Sequence, residues 1–223
     1  MPTAARLIGV LLPLWLASCG GSSSTTVQDT TPAQTGGWSW HLPANFPLPL
    51  EPAHNPMSNA KVELGRHLFY DVRLSGNGTQ SCGSCHQQDK AFTDGLPTAI
   101  GSTGEAHPRN TQSIINVVYS PTLTWANSSL LRLEVQMLTP LFGEHPVEMG
   151  ITDQNKAQVL ARFQNSPLYT PLFAQAFPDD SAPITLNNIM LAISSFQRSI
   201  IAGDSRYDRY LQNKAALSAA EIR

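Results

Sequence analysis

Cys82, Cys85 and His86 stand together as Cys-Gly-Ser-Cys-His. Two thiols three residues apart beside an imidazole can cycle as a dithiol redox pair, ligate zinc, or add across the vinyl groups of a haem while the histidine takes the iron. A thioredoxin-like pair belongs to a strand-to-helix turn, and the flanking sequence carries no strand pattern. A zinc site needs two more Cys or His at ordered spacing. The chain holds 3 cysteines in all, and the third, Cys19, lies in a leader-like segment far upstream. The motif therefore reads as covalent attachment of one c-type haem on Cys82 and Cys85, with His86 as an axial iron ligand.

Helices and long loops must position this motif. Residues 38–56 carry prolines at 43, 47, 49, 52 and 56, each removing an amide donor and fixing φ. They are expected to form an extended strap packed through Trp38, Trp40, Phe46 and Leu50. Ser58 can cap a helix over 58–70, with Val62, Leu68 and Phe69 on its apolar side and His67 near the haem. A turn through Gly76-Asn77-Gly78 leads into the motif. Helices are expected over 129–138 and 154–163, and another from a Ser166 cap with Pro167 at its first position. The clearest covers 185–201, where Leu186, Ile189, Met190, Ile193, Phe196 and Ile200 recur at helical spacing and Gly203 is the expected stop. No run alternates as a strand would, so the fold class is mainly α with long loops.

Only 13% of residues are charged, and the net charge is -2 with no Lys/Arg run. That excludes the basic field that nucleic acid demands. Residues 1–19 read as a lipoprotein signal peptide: Arg6, an apolar stretch over 7–16, then Leu16-Ala17-Ser18-Cys19 in the pattern of a lipobox. The apolar stretch is shorter than the roughly 20 residues of a membrane span. Cys19 would carry the acyl chains, giving a protein exported to the periplasm and lipid-anchored, with Gly20 favouring the outer membrane. Residues 20–37 are Gly/Ser/Thr-rich and suit a flexible linker.

Several blocks then carry a family resemblance: Leu64-Gly65-Arg66, Leu68-Phe69-Tyr70-Asp71, Arg73-Leu74-Ser75, Ala91-Phe92-Thr93-Asp94-Gly95, Arg109-Asn110, Pro146-Val147-Glu148-Met149-Gly150 and Asp208-Arg209-Tyr210. With the haem motif they resemble the bacterial di-haem cytochrome c peroxidase and MauG family. Thr122-Leu123-Thr124-Trp125-Ala126-Asn127 and Leu141-Phe142-Gly143-Glu144 most resemble its methanobactin-biosynthesis branch, whose described member oxidises a protein tryptophan. The resemblance implies two cytochrome-c-like domains, the amino-terminal one meeting hydrogen peroxide and the second handling electrons from a donor cytochrome or protein substrate. Here 38–217 would be the first domain. Residues 218–223, opened by the capping box Ser218-Ala219-Ala220-Glu221, would be the start of a truncated second haem domain. The resemblance also implies Glu148 as distal acid, Gln136 and Pro140 as its companions, Trp125 as the tryptophan between the haems, and Asn110 as a calcium ligand.

Chemistry agrees on Glu148, since peroxide cleavage needs a group that accepts a proton from one oxygen and returns it to the other. Glu144 is the rival carboxylate. Many relatives place a histidine after the Leu-Pro-Thr block, whereas here Leu96-Pro97-Thr98-Ala99-Ile100-Gly101 runs into Ser102. An open sixth iron position is therefore expected, with His107, backbone-restricted by Pro108, as the nearby alternative ligand. The competing expectation is a mono-haem electron-transfer cytochrome, its sixth position closed by Met149 or Met137, residues that otherwise serve as core filler.

Overall fold

A computed structural model describes residues 37–223. The signal segment 1–19 with Cys19, and residues 20–36 of the linker, lie outside the described residues. Among those described there is no strand, only isolated bridges, and no helix long and apolar enough to cross a membrane.

Two helices make the frame. In α1 (Asn59–Tyr70), the Ser58 side chain accepts from the Lys61 amide at 3.2 Å, closing the first turn as the sequence indicates. In α7 (Leu186–Ser199), the Thr185 side chain accepts from the Asn188 amide at 3.1 Å. Leu64, Leu68 and Phe69 of α1 face Ile189, Ala192, Ile193 and Phe196 of α7, all buried. Each fully buried large side chain contributes roughly 1.5–3 kcal/mol over an exposed one. The two backbones approach so closely that a Cβ on Gly65 would collide with the Ala192 carbonyl. That contact accounts for a glycine inside α1, where it otherwise weakens a helix.

Between them run α2 (Cys82–Cys85), a single turn, then α3 (Leu133–Gln136) and α4 (Leu138–Phe142). The segments α5 (Lys156–Gln164) and α6 (Tyr169–Ala176) follow, with α6 packed on α1. After α7 come the short α8 (Arg206–Leu211) and α9 (Ala219–Ile222). In α9 the Ser218–Glu221 capping box forms, and Arg206 pairs with Glu221 at 2.7 Å.

Several expectations shift. The helix expected over 129–138 starts later and divides in two, because Pro140 has no amide to give the Gln136 carbonyl. The expected 154–163 helix runs Lys156–Gln164. At Ser166 the chain first makes a turn, whose carbonyl accepts from the Tyr169 and Thr170 amides, and α6 follows it. Gly203 does not end α7: the helix stops at Ser199, where the Ile200 carbonyl is taken by the Asn116 amide. Gly203 instead admits the Phe46 ring, which a Cβ would meet at 2.6 Å.

In the strap, which has neither helix nor strand, Trp38, Trp40 and Phe46 are half-buried as expected, but Leu50 is 89% exposed and Pro49 is the buried residue. Asn55 anchors the strap's end. Its Nδ2 donates to Glu134 Oε1 at 2.8 Å and the Leu191 carbonyl at 3.0 Å, while Arg198 meets the same Glu134 oxygen at 2.6 Å. A buried carboxylate, guanidinium and amide thus tie strap, α3 and α7 together.

Candidate functional site

The Cys-Gly-Ser-Cys-His turn is built by local hydrogen bonding. Ser84 Oγ accepts from the Ser81 amide at 3.0 Å, and the His86 amide donates to the Cys82 carbonyl at 2.9 Å. Three-residue spacing on one helical turn puts Cys82 and Cys85 on the same face, and both line one cavity of about 400 Å³. The ring of Tyr70 lies where a Cβ on residue 83 would go, so Gly83 is required by close packing. The thiols are free, and burial pushes Cys82 up to about 12 and raises Cys85 as well. They are neutral thiols at pH 7, unlike the activated thiolate of a redox dithiol. Among the described residues no cluster of three His, Cys, Asp or Glu could hold a metal ion, which leaves the zinc reading without ligands.

His86 is oriented by a strained loop. Ala91 and Phe92 both take left-handed backbone, at φ 56° and 59°, a conformation that costs non-glycine residues energy. It is held by the Phe92 amide donating to the Gln87 carbonyl at 2.8 Å and the Gln87 amide to Thr93 at 3.0 Å. The result is a Phe92 carbonyl 3.0 Å from His86 Nδ1. A carbonyl on Nδ1 sets the tautomer that leaves Nε2 for a metal. Burial lowers the imidazole's pKa, opposed by that carbonyl, so the neutral ring that iron requires is favoured.

The same cavity is walled by Gln136, Met137 and Pro140 from α3 and α4, by Glu148 and Met149, and by Trp125 and Asn110. Glu148 has a fixed backbone: its carbonyl accepts from the Ser102 amide at 2.8 Å, and the next amide, Met149, donates to Pro140 at 2.9 Å. Burial raises the carboxyl's pKa, and His107 partly offsets this. Trp125 is 54% exposed, its indole N–H donating to the Asn110 carbonyl at 3.0 Å. Met137 and Met149 are buried at the wall. Cysteines, histidine and an otherwise mostly apolar lining fit a haem. Asn110 is exposed, its backbone carbonyl accepting from the Trp125 indole, and among the described residues it has no cluster of three His, Cys, Asp or Glu beside it.

Not every expected residue arrives. Glu144 is exposed and off the cavity. His67 is on α1 but turns away, meeting Glu63 at 3.1 Å and the edge of Tyr169. Tertiary structure alone gives two further cavity residues their place, and for His107 that place is other than the iron ligation the sequence offered as an alternative. His107 has a side chain 10% exposed, with Nδ1 3.9 Å from Glu148 Oε1, and Gln197 reaches the wall from α7. Periodicity could flag Gln197 only as a helix position. For His107 no signal pointed to Glu148, because a hairpin-like loop brings it in: its amide donates to Ala99 at 2.8 Å, and Ala99 donates to Arg109 at 3.0 Å.

Comparison with known proteins gives one family match, described as di-haem cytochrome c peroxidase, over residues 59–216. The chain is 30% identical over 220 residues to the methylamine utilization protein MauG of Methylorubrum extorquens, covering 95% of this chain and 60% of that protein. It is 32% identical over 157 residues to cytochrome c551 peroxidase of Pseudomonas aeruginosa, covering 70% and 44%. The crystal structure of a MauG-like protein associated with microbial copper homeostasis superposes with TM-score 0.81 at 55% identity, over 83% of this chain and 53% of that one. The chain thus spans about half the length of the relatives it matches.

Proposed function

Because the chain belongs to the bacterial di-haem cytochrome c peroxidase and MauG family, we propose that residues 38–217 form a haem-dependent peroxidase domain acting on hydrogen peroxide. One observation carries the reading: Glu148 and the Cys-Gly-Ser-Cys-His turn share a single cavity. A haem c bound there supplies the redox-active iron that peroxide would meet.

The chain's own residues divide the remaining work. Cys82 and Cys85 would hold the group through thioether bonds, and His86, oriented by the Phe92 carbonyl, would ligate its iron. Glu148 accepts a proton from one peroxide oxygen and returns it to the other. Gln136 and Pro140 shape the pocket around it, and Trp125 at the cavity mouth is the exit for oxidising equivalents towards a second haem. Residues 218–223 would open the domain that carries this second haem, and a calcium shared with it would draw on Asn110. The electron source is a donor cytochrome or a protein substrate. The resemblance of 122–127 and 141–144 to the methanobactin-biosynthesis branch supports a protein substrate, including oxidation of a tryptophan on it. The lipobox supports export to the periplasm with acylation at Cys19 and an outer-membrane anchor.

Met137 and Met149 at the cavity wall favour the second reading, a mono-haem electron carrier with a methionine on iron. The ferric optical spectrum of the haem-loaded protein, followed by rapid mixing with hydrogen peroxide, separates the two. A high-spin spectrum bleaching promptly with peroxide is expected. A low-spin spectrum, indifferent to peroxide and turned high-spin by Met149→Ala or Met137→Ala, means an electron carrier.

A further inference from the structure

The Glu148 carboxylate is not alone in its pocket. His107 is buried beside it, with Nδ1 3.9 Å from Glu148 Oε1. Its Nε2 is buried without a hydrogen-bond partner, and the side chain lines the cavity of the haem motif. The approach is engineered by the backbone on both sides. The amide of His107 is tied to Ala99, the amide of Ser102 to the Glu148 carbonyl, and a Cβ on Gly101 would collide with the Val147 carbonyl. These contacts hold the 99–109 loop against the 146–150 segment, so the two side chains face each other.

We propose that His107 is a positioning residue for Glu148: its Nδ1–H, directly or through one water, holds the carboxylate oriented into the cavity and negatively charged, ready to take a proton. This rests on the peroxidase reading. The other ionisable groups about the pair are few. Glu105 lies on the same loop, with a carboxylate oxygen 3.4 Å from the Val147 amide. Arg109 lines the cavity, and the Cys82 and Cys85 sulfurs do not titrate once joined to haem. Of these groups and His107, it is His107 whose charge favours an ionised Glu148. Carboxylates next to a donor or positive group stay ionised to lower pH, whereas desolvation works the other way. A proton taken by Glu148 neutralises the carboxylate, and the same proton leaves with the departing oxygen. His107 begins and ends the cycle unchanged.

Cyanide tests this without turnover, because it binds ferric haem as an anion but arrives mainly as hydrogen cyanide and must leave its proton on a pocket base. The association rate of potassium cyanide with the ferric haem-loaded protein, followed from pH 4 to 9, should show an acid limb set by Glu148. His107→Phe should move that limb up by about one pH unit, and His107→Gln, whose amide can still donate, should restore most of the shift. In a Glu148→Gln background the His107→Phe change should have no further effect on the limb. An unmoved limb in His107→Phe overturns the proposal. So does an equal loss in Phe and Gln variants without a limb shift, which marks a packing role. A low-spin wild type that turns high-spin in His107→Phe and His107→Gln alike makes His107 an iron ligand and also overturns it. The peroxidase reading fails separately, on peroxide reactivity, and survives any of these outcomes if Glu148→Gln alone abolishes the limb.

Discussion

At the scale of the residue, Glu148 is a half-buried carboxylate on the cavity wall, held by backbone hydrogen bonds on each side. Glu148→Gln keeps size and hydrogen-bonding capacity but removes the base. The single-turnover reaction with peroxide should slow by about 10²–10⁴, while Glu144→Gln, out on the exposed turn, should react as wild type. Equal rates for wild type and Glu148→Gln would remove the residue from the chemistry. Cys82→Ser with Cys85→Ser should abolish covalent haem and leave a poorly folded domain, because the cavity wall shared by α2, α3 and α7 loses what fills it. Retained helical circular dichroism without haem would refute that.

Elements, not single side chains, set the frame, and the α1–α7 crossing is the clearest case. Gly65 touches the Ala192 backbone and Phe196 Cβ with no space for a side chain. Gly65→Val should force the helices apart and cost about 1–3 kcal/mol or more, read as a lowered unfolding midpoint of the haem-loaded protein. Unchanged stability would mean that the two helices can separate freely. The α3–α4 break has a comparable origin in Pro140: a missing amide divides what periodicity joins, and Gln136, Met137 and Pro140 about the break line one cavity wall.

For the whole molecule, the buried charges make stability depend on acid. Burial pushes Glu134 up, but hydrogen bonding to Asn55 and the Arg198 charge outweigh it, so the carboxyl sits below its ordinary value. Asp71 is likewise raised by burial and brought below normal by Arg73 and Tyr169. A carboxyl with a lowered folded pKa stabilises fully above its unfolded value, near 4. That contribution disappears as pH falls through the folded value. Urea unfolding should therefore give constant stability above about pH 5 and a decline below about pH 4. Glu134→Gln should flatten part of that decline and cost about 3–5 kcal/mol at pH 7, since Arg198 then loses its counter-charge. An acid slope identical to wild type would place the linkage elsewhere.

What the sequence determined by itself was chemistry with a short reach. Thiol spacing and an adjacent imidazole identify the haem turn, because both lie within one helical turn. The α1 cap was legible because Ser58 acts on an amide three residues away. Periodicity likewise marked Leu68, Phe69, Ile189 and Ile193 as core. Family blocks pointed to Glu148, whereas His107 was legible only as an alternative iron ligand and not as the neighbour of that carboxylate. Tertiary structure decided that His107 faces Glu148, that Leu50 is exposed while Pro49 is buried, that His67 turns from the cavity and that Gly203 serves Phe46 rather than ending α7. In each case the deciding contact joins segments distant in sequence, through loops whose path no local propensity encodes: burial, close backbone approach and hydrogen bonds between loops select one arrangement among many that the local sequence permits.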